Sequence, residues 1–100
     1  VATGPLRIWP AARRATWHDA PLALTGTEFS LLEVLARRAG RVVDKAELSE
    51  AALGRPLGRF DRSIDVHLSS LRQKLGPRDD GGPWIETVRG RGYQFVRDPE

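Results

Sequence analysis

The sequence predicts an α+β domain in which a small antiparallel sheet is followed by three helices and a closing hairpin. Three observations carry this. Residues 1–24 hold short apolar runs separated by turn residues, the middle of the chain carries helix-start signals with 3.6-residue periodicity, and two strand-like runs flank Gly90-Arg91-Gly92. One hundred residues make one domain, large enough to bury about two-thirds of its unfolded surface without disulfide or metal. The start at Val1, with no initiator methionine, leads us to expect a longer parent protein.

In the N-terminal part, Leu6–Trp9, Ala15–Trp17 and Pro21–Leu24 read as short strands, separated by residues 10–14 and by the turn His18-Asp19-Ala20. Thr25-Gly26-Thr27-Glu28 is a capping box: the Thr25 hydroxyl accepts from the Glu28 amide and the Glu28 carboxylate reaches back to Thr25. On this reading Glu28 is structural, and Glu28→Ala costs about 1 kcal/mol. The helix that follows runs to Ala39, with Phe29, Leu32, Leu35, Ala36 and Ala39 on one face, and Gly40 ends it. Arg41-Val42-Val43 is an extended bridge. Asp44 caps a second helix, with Glu47 completing another capping box and Leu48, Ala51 and Ala52 turned inward. Residues 53–60 form a loop broken by two glycines and a proline. A third helix, capped by Asp61, occupies residues 62–75 and stops at Gly76-Pro77. Residues 78–83 are a polar turn, and residues 84–97 form the hairpin.

That hairpin is not a phosphate loop. A dinucleotide fingerprint needs a third glycine opening a helix, and a P-loop needs Lys-Ser or Lys-Thr after its last glycine; Tyr93-Gln94 stands there instead. Gly90-Arg91-Gly92 is therefore a turn, with glycine supplying positive φ.

Composition narrows the chemistry. With no cysteine, disulfide frameworks, thiolate zinc sites and cysteine nucleophiles are excluded. No apolar run has the length of a membrane span and no signal peptide precedes the first strand, so a cytoplasmic setting is expected. The net charge is +3, and 14 of the 16 basic residues are arginine, the side chain suited to bidentate phosphate contacts. Arg55, Arg59, Arg62, Arg72 and Lys74 face only Asp61 and Asp65 between positions 55 and 75; Arg89, Arg91 and Arg97 face Glu86 alone between positions 85 and 97. The C-terminal half carries the positive field, which points to a polyanion.

The third helix decides which polyanion. Ile64, Leu68, Leu71 and Leu75 form its core stripe. Arg62, Val66, Ser69 and Gln73 lie opposite, with Ser63 and Ser70 beside them, His67 and Lys74 on one flank, and Asp65 and Arg72 on the other. A helix entering a groove about 12 Å wide needs short residues where its backbone nears the bases and donors at its edges, and Val66 suits a thymine methyl. An ordinary solvated face would carry more Glu and Lys.

At this point the residues resemble a known family. L-T-G-T-E-F-S-L-L, D-R-S-I-D-V-H-L-S-S-L-R-Q-K-L and E-T-V-R-G-R-G-Y-Q-F, in that order, resemble the OmpR/PhoB winged-helix effector domains of two-component response regulators, from Leu6 to Val96. The resemblance implies a winged helix-turn-helix with a four-stranded N-terminal sheet, one strand more than the residues themselves indicate. It implies base contacts from Ser63, Val66, His67, Ser70 and Arg72, phosphate contacts from Arg62, Ser69 and Tyr93, and a minor-groove arginine at Arg89. Lys74 and Arg91 belong to the same expected interface through charge. Well-known members carry two arginines where this chain has Ser69-Ser70, which implies weaker binding by a single copy. The loop containing Arg55, Leu57 and Arg59 corresponds to the segment some members turn toward RNA polymerase; here it serves either that role or as a connector bracing Phe60. Further implied are an upstream receiver domain phosphorylated by a sensor histidine kinase, and a second copy of the chain on tandem half-sites of double-stranded DNA. No cofactor and no membrane partner is expected.

Other chemistries are weaker. Ser63 and His67 lie one helical turn apart, but no G-x-S-x-G elbow or orienting carboxylate makes them a hydrolase site. Two distant histidines without cysteine argue against a zinc site. Trp9, Trp17 and Trp84 could stack on single-stranded bases, yet on strands facing a small core they serve packing. A winged-helix protein-interaction module, or a transcription factor without receiver control, is the alternative.

Overall fold

The computed structural model describes residues 1–54 and 63–97, the side chain of Ser63 excepted. The expected cap at Asp61, the bracing role of Phe60, and the candidates Arg55, Leu57, Arg59, Arg62 and the Ser63 hydroxyl lie outside the described part.

The chain begins with a four-stranded antiparallel sheet in sequential order: β1 (Ala2–Thr3), β2 (Leu6–Trp9), β3 (Arg14–Trp17) and β4 (Ala20–Pro21). The strand that the residues did not reveal is β1. Two residues are too few for an alternating pattern, and its place is set by pairing Ala2 with Arg7 and Thr3 with Leu6. The expected strand at residues 21–24 ends at Pro21. Beyond it Leu22 still donates to the Ala15 carbonyl at 3.0 Å, and then the chain leaves the sheet so that Leu22 and Leu24 lie against the core. Strand β2 alternates strictly, Leu6 and Ile8 buried and Arg7 and Trp9 outward. Trp9 is therefore 47% exposed, a correction to its expected packing role, whereas Trp84 is buried and meets Trp17 edge-on at 5.1 Å.

Helix α1 (Gly26–Arg37) starts at the expected capping box, with Glu28 N donating to Thr25 Oγ1 at 3.1 Å and Thr25 N donating to Glu28 Oε1 at 2.9 Å. It ends two residues before Ala39 because Arg38 and Ala39 tighten into i→i−3 bonds ahead of Gly40. Helix α2 (Lys45–Leu48) is capped by the Asp44 carboxylate at 2.8 Å and continues as a π-helical turn over Ser49–Leu53. The second capping box is only half formed: the Glu47 carboxylate turns to Arg38 at 2.5 Å instead of back to its own cap. Ala51 is exposed, not inward, since the π-turn shifts the side-chain phase; Leu48 and Ser49 are buried.

Helix α3 (Ser63–Leu75) buries Ile64, Leu68, Leu71 and Leu75, the expected stripe. Pro77 bridges Pro83 around the polar turn, and the wing follows as β5 (Ile85–Val88) and β6 (Gly92–Phe95), paired from Ile85↔Phe95 to Val88↔Gly92. The wing is sewn to the helical part. Val43 and Tyr93 exchange backbone bonds at 2.8 and 2.9 Å, and Gly40 N donates to the Phe95 carbonyl. Gly92, at φ +147°, lies so near this seam that a Cβ there would come within 2.6 Å of Asp44 Cα. Side chains from the inner sheet face, all three helices and the wing share one core. Among the described residues no helix is long and apolar enough to cross a membrane.

Candidate nucleic-acid interface

Along α3 the core stripe fixes what faces outward. Val66 is 64% exposed, an isolated apolar side chain on an otherwise polar surface, and Ser69 and Gln73 are exposed with it. His67 is half-buried on the flank. This is the narrow, short-side-chain face that the sequence indicates.

Four other candidate residues are turned elsewhere. Ser70 Oγ donates to Glu28 Oε2 at 2.7 Å, and Lys74 Nζ donates to Glu28 Oε1 at 2.6 Å. Arg72 lies back against the wing, with Nε donating to the Ile85 carbonyl at 2.8 Å and a terminal nitrogen to Thr87 Oγ1 at 2.5 Å. Tyr93 is buried and its hydroxyl donates to Asp65 Oδ1. The helical wheel set Ser70, Arg72 and Lys74 beside the outward face; their tertiary partners draw their polar ends along the protein surface, with Ser70 and Arg72 half-buried and Lys74 still exposed.

Glu28 is the centre of the first group. Its side chain is 3% exposed, and three donors satisfy its carboxylate: Lys74 Nζ, Ser70 Oγ and the Thr25 amide of the capping box. Burial pushes its carboxyl up, but the hydrogen bonds from Lys74, Ser70 and Thr25, with the Lys74 charge, outweigh this and lower it from 4.5 to about 2. The second group centres on Asp65, which also accepts Lys45 Nζ at 3.0 Å from the start of α2. Burial, then the Asp65 hydrogen bond and charge, raise the Tyr93 hydroxyl from 10.0 to about 12 against an opposing effect of Arg72, whose guanidinium lies 5.5 Å from the ring. The pairing of Lys45 with Asp65 is a feature of the site that the sequence did not expose. The two are 20 residues apart in the chain, beyond any periodic signal.

The wing loop supplies unpaired cations. Arg89 and Arg91 are exposed on either side of Gly90, and their guanidinium groups have no hydrogen-bond or ion-pair partner among the described residues, while the Arg91 amide donates to the Val88 carbonyl across the turn. They border an open groove of about 540 Å³ between the hairpin and the start of α2, lined also by Lys45, Thr87 and Tyr93. Unpaired arginines at a tight turn beside a slender helix make a surface of two parts, one shaped for a wide groove and one charged for a narrow one.

The family model for the C-terminal part of transcriptional regulatory proteins matches residues 19–95. The chain belongs to that family, of OmpR/PhoB type. Among relatives of this OmpR/PhoB-type domain, the transcriptional regulatory protein CpxR of Klebsiella pneumoniae is 50% identical over 91 residues, 91% of this chain and 39% of that protein. CpxR of Escherichia coli is 51% identical over 87 residues, 87% of this chain and 38% of that protein. The chain thus spans about two-fifths of the length of these curated relatives. The crystal structure of the DNA-binding domain of CpxR from E. coli matches with a TM-score of 0.89 at 44% identity, covering 99% of this chain and 97% of that one. The K. pneumoniae RstA DNA-binding domain, solved in complex with the RstA box, matches at a TM-score of 0.84 and 34% identity, covering 96% and 95%. These likenesses establish the winged-helix fold, wing included.

Proposed function

We propose that this domain binds double-stranded DNA to regulate transcription, with α3 in the major groove and the Arg89 loop in the adjacent minor groove. The observation that carries the reading is the α3 face: Val66 at 64% exposure among short polar groups, beside a wing whose arginines are unpaired. Val66, His67 and Ser69 meet base edges and backbone, joined by Gln73; Arg62 and Ser63 extend the contact at the helix start. Ser70, Arg72, Lys74 and Tyr93 act mainly by holding the helix in place. Support comes also from the RstA relative, whose domain was solved on its own DNA box.

In the parent protein the domain is the effector half of a cytoplasmic response regulator, controlled by a receiver domain and its sensor kinase, with Arg55, Leu57 and Arg59 as the candidates for contact with RNA polymerase. A net charge of +3 and Ser69-Ser70 in place of two arginines give one copy little discrimination, so two copies occupy half-sites roughly 10–11 bp apart. Linkage raises affinity through effective concentration alone. Titration with a selected duplex at two salt concentrations tests the reading: phosphate contacts give a steeply negative dependence of log K on log salt. A flat slope would overturn it. Inserting five base pairs between half-sites turns the second to the opposite face and abolishes cooperative binding if the tandem arrangement holds.

A further inference from the structure

Resting on that reading, we propose that helix α3 and the wing form one preset reading head, held by a polar clasp in which Asp65, Tyr93 and Arg72 are positioning residues for Arg89. The clasp has two points. At the first, Asp65 of α3 accepts both the Tyr93 hydroxyl of β6 and Lys45 of α2. At the second, Arg72 of α3 donates to the Ile85 carbonyl and the Thr87 hydroxyl, both on β5. Asp65 and Arg72 are seven positions apart, two helical turns on one side of α3, or roughly 10 Å along its axis. The backbone seam at residues 40–43 already anchors β6; the clasp adds the register of the hairpin against α3. Two points on different strands of the hairpin fix its rotation and its slide along the helix. Directional bonds to a carboxylate and a guanidinium specify one register, which apolar contacts alone do not.

The clasp continues to the arginine that uses it. Thr87, bonded to Arg72, is two residues before Arg89, which follows directly on the end of β5, and Val88 closes the hairpin by pairing with Gly92. Gly92 and Tyr93 are in turn pressed against Val43 and Asp44. The position of Arg89 relative to Val66 is thus stored in the free protein. The minor-groove contact then depends on a span that DNA binding does not have to create, which lowers the ordering cost of making both contacts together.

A double-mutant cycle tests this on a selected duplex with A·T-rich and G·C-rich flanks. Tyr93→Phe removes the hydroxyl at the first point. Thr87→Val removes the side-chain acceptor of Arg72 at an exposed strand position, leaves the Ile85 carbonyl, and keeps the strand shape. Each is expected to weaken binding several-fold, up to about tenfold, and to erode the preference for A·T flanks. In an Arg89→Ala background neither should weaken binding further, because the clasp acts through that arginine. Circular dichroism and thermal unfolding confirm that each variant is folded. Variants that are folded and keep the full flank preference overturn the proposal, as do losses that simply add to that of Arg89→Ala. If the parent chain shows no salt-dependent duplex binding, the DNA reading itself fails, a distinct outcome.

Discussion

Two carboxylates hold α3 in place: Glu28 of α1 ties down its second half, and Asp65, a residue of α3 itself, ties its first half to α2 and the wing. Glu28 has a side chain 3% exposed and is enclosed by donors; Asp65 and its partner Lys45 are 42% and 43% exposed. The same chemistry therefore does different work. Inside, water cannot replace a lost partner, so the Glu28 cluster is a matter of energy. At the surface water can, so the Asp65 pair adds little stability and contributes chiefly by direction.

The largest expected effect breaks the buried side of this comparison. Glu28→Gln should destabilise the domain by about 3 kcal/mol. Each tenfold gain in acidity on folding is worth roughly 1.4 kcal/mol, and this carboxyl falls from 4.5 to about 2. Urea denaturation measures the loss. The capping box alone would be worth only about 1 kcal/mol; the added bonds from Ser70 and Lys74 raise the figure. The sign of the pH dependence follows. The folded value lies below the unfolded one, so the contribution is complete above pH 4.5 and is lost as pH falls from 4.5 toward 2. Glu28→Gln should remove that component of acid sensitivity.

Next comes Arg89→Ala, with a loss of roughly 1–3 kcal/mol in DNA affinity, concentrated on A·T-rich flanks and without change in melting temperature. Arg91→Ala should lose less, evenly across sequences, by fluorescence anisotropy at matched salt. The smallest effect sharpens the contrast with Glu28: Lys45→Ala, which removes the exposed pair with Asp65, should change stability by less than about 1 kcal/mol. A loss as large as that of Glu28→Gln would erase the distinction between the two carboxylates.

The elements that local chemistry dictates were legible in the chain. The Thr25–Glu28 box, the Ile64–Leu68–Leu71–Leu75 stripe and the glycine hairpin each follow from neighbours within a few residues, and the structure contains all three. What escaped depends on distant partners. β1 exists through its pairing with β2, and Glu47 leaves its own cap because Arg38, nine residues back, offers a charge. Arg72 and Ser70 were placed by helical phase, which gives the direction of a Cβ but not the end of a long or mobile side chain. The outward face of α3 was readable since its stripe is strictly periodic. Its flanks were not, for their orientations are settled by groups 13 to 46 positions away.

The crowding at Gly92 has a consequence for anyone who would re-engineer the hairpin. Its two glycines are not equivalent as sites of variation. At Gly90 an added Cβ meets open space and only the φ of +74° resists it, so asparagine, which tolerates that conformation, is a natural substitute. At Gly92 any side chain meets the backbone of residues 43 and 44, which cannot retreat without unstitching the wing. A combinatorial library seeking new flank preferences has room at Arg89, Gly90 and Arg91, and should leave the glycine that follows them as it stands.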